Sequence, residues 1–460
     1  MTPTSIAWNR FGLGGRPQDQ LPDDPQRWLL DQLDRYDPRP AGIASQPSST
    51  EAIEGYLSIR NIRRMARESN AEDRGREQVQ EVRQTVRRNY LQAVAARGQQ
   101  AIESDAPFAE RMVHFWSNHF AVSVQKNQVR GMAGSHEFEA IRPNVMGNFR
   151  DMLRSAVLHP AMFIYLDQFQ STGPNSQVSV RRRRRGRDEA GLNENLAREI
   201  LELHTLGAQG GYTQTDVTEF ARALTGWTVA GISRARRAQT LPNGSAWANY
   251  LHEPGSRTVM GQTYRQDGHE QSLAILDTIA KHPSTAKHVA TKLARHFAGD
   301  EPPETMVARL EKTFLESEGN LPSLYRAIVE SPEAWTVEPV KFRTPWEWSI
   351  AILRATGGSG MNARRFTRMQ QELGQVPWGP PSPQGYPDTA NNWAAPDALI
   401  RRVEVAAQIA ALSREGDVPA LARHLFQDGL NDSTATWISR AESPEQGLAL
   451  LLSSPEMMRR

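Results

Sequence analysis

The strongest constraint on the fold is the stretch 51–103, which is densely charged and almost free of helix breakers. Within it Val79, Val82, Val86, Tyr90, Leu91 and Val94 recur at spacings of three and four, the period of one helix face. A strict heptad is not sustained. The pattern therefore predicts two helices with a solvated face, with a coiled-coil dimerisation arm as the alternative. Helical periodicity returns through most of the chain, as at 284–297 and 398–412, and no period of 20–50 residues marks a solenoid. Only 229–268 reads differently, with Gly, Ser, Thr and Arg between short apolar runs. The expected fold is all-α: one large multi-helical body over residues 1–460, with an irregular insertion at 229–268 that has room for a hairpin.

Composition removes several function classes. The chain has no cysteine, which excludes disulfides, thiolate nucleophiles, Cys-ligated zinc and iron–sulfur clusters. Its formal charge of +2 gives no global pull toward nucleic acid or an anionic membrane. No run of about 18 apolar residues exists to span a bilayer. The first fifteen residues show no apolar h-region, so the expected location is cytoplasmic, or exported if a leader precedes this sequence.

The most informative helix is 193–207. Asn193 can accept from the first free N–H groups, Glu194 sits at the positive dipole end, and Gly207 can take the left-handed stop. At about 100° per residue, Glu194, Arg198 and Glu202 fall on one arc, with Glu199 at its border. Two carboxylates thus bracket Arg198 at i and i+4, so the arginine is expected to pair with one of them and to be mostly buried. Perturbed carboxylates in a cleft are natural acids, bases or metal ligands.

A second stretch, 107–120, interleaves Phe108, Phe115, Trp116 and Phe120 with His114 and His119. The histidines are five apart, roughly 140° around an ideal helix, so one ion cannot take both from an unbroken helix. Glu199 and His204 share that spacing. Any metal must then draw one ligand from each stretch. An imidazole at His119 with a carboxylate at Glu199 is the minimum for general-base work or for zinc, iron or manganese.

Other segments carry less. The Asn9–Gly14 glycines have no preceding strand and no following Lys-Ser/Thr, so a packed turn is expected there rather than a phosphate loop. The basic loop 177–187 includes Arg181–Arg185 and Arg187. It is expected to be exposed and mobile, with polyanion docking as the alternative. Lacking aromatics, it has no stacking platform for bases.

The segments 9–14, 114–120, 193–207, 212–227, 373–375 and 383–393 together resemble the bacterial family called domain of unknown function 1800. The central run Asn-Glu-Asn, Ala-Arg-Glu, Glu-Leu, Leu-Gly, then Ala-Arg-Ala-Leu-Thr-Gly-Trp carries the likeness, which covers nearly the whole chain. The resemblance implies no settled activity. It implies a partner, since members often stand beside a second family, domain of unknown function 1501, that looks like an alkaline-phosphatase-type protein. Three positions depart from the pattern: Ser117 stands where relatives often have histidine, His204 where many have phenylalanine, and His252-Glu253 where His-Asp is usual.

Two functional readings follow. In one, a pocket unites His119, Glu194, Arg198, Glu199 and Glu202 as chemistry, with Asn118, Asn193, Arg222, Trp227 and His252 as binding groups, for metal-assisted hydrolysis or redox work. In the other, a non-catalytic helical scaffold binds a partner protein. The oligomeric state is left open.

Overall fold

The computed structural model describes residues 1–69, 72–186, 191–232, 237–339, 341–358 and 362–460. It is 62% helical and 4% strand, which bears out the all-α expectation. The charged run forms two helices, Ser49–Glu68 and Glu72–Glu103, that pack side by side. Ser48 and Glu51 start the first with a reciprocal capping box. Gly75 is where the pair closes up, since a Cβ there would collide with Cβ of Ala66. A contiguous hydrophobic cluster runs from Ile6 to Met458.

The insertion carries the strands. Trp227–Val229, Gln239–Thr240 and Ser245–Trp247 make a three-stranded antiparallel sheet with Ser245–Trp247 in the centre. Arg257–Val259 and Gln262–Tyr264 form a two-stranded hairpin. Met260 and Gly261 both have positive φ, as a two-residue turn matching the strand twist requires.

Two expectations are corrected. The basic segment is not a loop over its first half: Gln177–Arg183 is a helix, capped by Ser176, whose side chain accepts from the Ser179 N–H. The arginines gather at its C-terminal end, where cations favour the dipole. Arg187 lies outside the described residues.

The second concerns 193–207. Asn193 Oδ1 accepts from Asn195 N at 2.8 Å and Gly207 is left-handed, as expected. Between them, however, the helix Asn195–Glu199 passes into a π-helical turn, Ile200–His204. The extra residue in that turn rotates everything after Ile200 off the predicted arc. Arg198 keeps Glu194 at 3.3 Å, while Glu202 accepts instead from the Tyr212 hydroxyl. Arg198 is 39% exposed, not buried.

Candidate active site

A cavity of about 520 Å³ opens where four elements meet. The helix Pro107–His119 supplies Arg111, His114, Asn118 and His119. The helix Pro283–Ala298 supplies Lys292, Arg295 and His296, and its His288, Lys292 and His296 repeat at i, i+4 and i+8, which puts them on one face. Trp346 and Glu347 come from the first turn of Pro345–Ala355. A proline-rich loop, 375–392, closes the wall with Trp378, Tyr386 and Asp388.

That loop is fixed by side chains reaching its backbone. The Asn118 amide donates to Tyr386 O and accepts from Tyr386 N, both at 2.8 Å. Gly385, with φ of +84°, lets the chain approach so closely that a Cβ would collide with the Asn118 carbonyl. Tyr90 Oη donates to Pro377 O at 2.9 Å and Ser123 Oγ to Pro380 O at 2.7 Å.

Hydrogen-bond partners fix the tautomers. His119 Nε2 lies 3.0 Å from the backbone carbonyl of His204, which can only accept, so Nε2 carries the hydrogen. Nδ1 is then a lone pair, and it accepts from Lys292 Nζ at 3.0 Å. His288 Nε2 donates to Leu203 O at 3.1 Å in the same way. The end of the 195–204 helix thus orients two imidazoles through its carbonyls. Burial and the Lys292 charge push His119 well below the usual histidine range. Burial also pushes Lys292 down to about 8, with Asp388 opposing.

His296 is a structural counterpart. Its Nδ1 donates to Asp388 Oδ2 at 2.7 Å, and its Nε2 accepts from Arg111 Nη1 at 3.3 Å, because a guanidinium only donates. Burial lowers it to about 4. Against burial, His296 and Lys341 hold Asp388 down at about 2.

Behind the cavity lies a layer of buried arginines. Arg111 and Arg460 share Glu347, the latter at 3.0 Å. Arg10, Arg343 and Arg402 donate to backbone carbonyls, those of Ala334 and Thr336 for the first, Met457 for the second and Arg343 for the third, and Arg343 also donates to Asn9 Oδ1. Arg97 is spoken for at the front, paired with Glu137 at 2.9 Å and stacked 4.1 Å over Trp346. Lys292 and Arg295 have no carboxylate within ion-pair distance among the described residues. The cavity therefore carries an excess of positive charge at the very surface a ligand would touch.

Of the residues expected from the sequence, only Asn118 and His119 line this cavity. His119 does meet the 195–204 helix, but at its carbonyl end. Glu199 is half-buried elsewhere, its carboxyl raised by burial and by Glu202. Glu194 accepts from Thr218 Oγ1 at 2.7 Å and Gln214 Nε2 at 2.8 Å. Asn193 donates to Leu166 O, Arg222 pairs with Glu219, Trp227 donates to Ser272 Oγ, and His252 contacts Thr225 O. Among the described residues no three His, Asp or Glu side chains converge to hold a metal ion.

Sequence reasoning missed Lys292, Arg295, His296, Asp388 and Glu347. The i, i+4, i+8 repeat of His288, Lys292 and His296 was the available signal.

Residues 6–459 match the family described as "Protein of unknown function (DUF1800)", so the chain belongs to it. No curated protein and no solved structure matches it.

Proposed function

We propose that this DUF1800 protein uses the cavity to bind an anionic small molecule and to move a proton on it. Lys292 and His119 form the proton-exchanging pair, and Arg295 anchors the anion. The observation that carries this reading is the Lys292–His119 contact itself. Lys292 is a cavity-lining amine whose partner is a neutral imidazole lone pair rather than a carboxylate, so losing its proton breaks no ion pair. An amine lowered to about 8 is poised to exchange protons near neutrality. The buried guanidiniums behind it favour an anion over a divalent cation. Of the hydrolytic and redox readings raised by the sequence, the pair supports the proton transfer that hydrolysis requires.

Calorimetry and thermal unfolding with oxalate, and with the neutral isostere oxamide, test this. Oxalate should bind and raise the melting midpoint, and oxamide should do neither. Arg295→Gln and Lys292→Met should each lose the oxalate response. An oxalate response unchanged in both variants, or none in the parent protein, would overturn the reading.

A further inference from the structure

We propose that the ligand is a 2-oxo acid and that Lys292 forms an imine with its carbonyl carbon, an inference that rests on the anion-binding reading above. The spacing of two cavity residues suggests the substrate class. Lys292 and Arg295 are i and i+3 on the Pro283–Ala298 helix, so their Cβ atoms lie about 5–6 Å apart on one face. A guanidinium suits a carboxylate, with two parallel N–H donors. An amine beside it then faces the carbon next to that carboxylate. In a 2-oxo acid that carbon is an electrophilic carbonyl.

The surroundings provide for each proton. The neutral Nζ lone pair attacks the carbonyl carbon, and the C=O electron pair moves to oxygen. His119 Nδ1, within hydrogen-bond reach of Nζ, takes the proton the amine must lose. The oxygen, protonated from solvent, becomes the carbinolamine hydroxyl. The His119 imidazolium then returns its proton to this hydroxyl, which leaves as water while the nitrogen lone pair closes the C=N bond. The proton taken from solvent is the one net proton consumed, and its charge is the positive charge the iminium carries. No oxidant or reductant is consumed. Throughout, the His204 carbonyl holds Nε2–H, so the ring does not turn away as its charge changes. His119 is thus the group that shuttles the proton, and the 195–204 helix positions it.

The test is reductive trapping of the full chain with pyruvate and cyanoborohydride near pH 7, read by peptide mass spectrometry. One carboxyethyl group should appear at Lys292, at least about tenfold above any other lysine, because its neutral fraction near pH 7 is about two-hundredfold larger than that of an ordinary lysine. Oxalate should protect Lys292. Arg295→Gln should cut trapping of pyruvate much more than trapping of acetone, which has no carboxylate and loses only the help that the Arg295 charge gives in keeping Lys292 neutral. Lys292→Arg, which keeps the charge, should abolish it. Binding of oxalate without selective trapping of pyruvate overturns the imine and leaves the anion site standing. Failure of oxalate to bind the parent protein overturns both. Trapping that oxalate does not block, or that Arg295→Gln does not change, overturns the 2-oxo acid assignment.

Discussion

Lys292 Nζ donates to Nδ1 of His119 across 3.0 Å, and the other nitrogen of that ring is held by the carbonyl of His204. The 195–204 helix thus acts on the cavity through its backbone. Its charged stripe faces outward and takes no part in the contact.

The imidazole of His204 itself is fully buried with no partner for either ring nitrogen among the described residues. An unsatisfied buried polar group costs about 1–3 kcal/mol, so His204→Phe should stabilise the protein. Burial also lowers this histidine to about 3. As pH falls, the unfolded chain takes up the proton first, near its ordinary value of about 6.5, so stability is lost from there down to about 3 and is flat above. The gain from His204→Phe should therefore be larger at about pH 5 than at about pH 8, by about 2 kcal/mol. Chemical denaturation at the two pH values measures it.

Glu347 is the carboxylate that Arg111 and Arg460 share in the interior. Glu347→Gln takes from both buried guanidiniums the one carboxylate they pair with, leaving only the more distant Asp388 charge, and should cost about 3–5 kcal/mol. Urea unfolding would detect the loss as a fall in midpoint at unchanged slope.

Arg198→Ala should be almost silent. The side chain is 39% exposed and pairs with Glu194 at 3.3 Å on the surface, a contact worth about 0.2–1 kcal/mol. A melting midpoint depressed by more than that would put the helix stripe inside the protein.

Asn118→Ala removes both bonds to the Tyr386 backbone. We expect a loss of about 1–3 kcal/mol and faster amide exchange at Tyr386, because the loop then rests on the Tyr90 and Ser123 contacts and the Asp388 ion pairs. Hydrogen exchange followed by mass spectrometry would localise the change to the 384–389 segment.

Local chemistry was legible in the sequence. The helical pair at 51–103, the Asn193 cap, the left-handed Gly207 and the irregular 229–268 insertion all follow from periodicity, capping and turn residues. Two things were not. A π turn at Ile200–His204 re-phases its helix, and nothing in residue periodicity marks it. The cavity joins His119 to a lysine 173 positions away and His296 to Asp388 across 92, contacts that only the packing of the whole core creates. Formal charge also misled, because a total of +2 conceals arginines buried against backbone carbonyls behind a single carboxylate, Glu347.

The Lys292 amine is held beside a neutral imidazole in a cationic cavity. Competitive acylation with an isotope-coded reagent across a pH series, read at the Lys292 peptide, measures its titration directly. A midpoint near 8 is expected, moving upward when oxalate is bound, because a nearby anion favours the ammonium form. A midpoint at the ordinary lysine value of about 10.4, insensitive to oxalate, would contradict it.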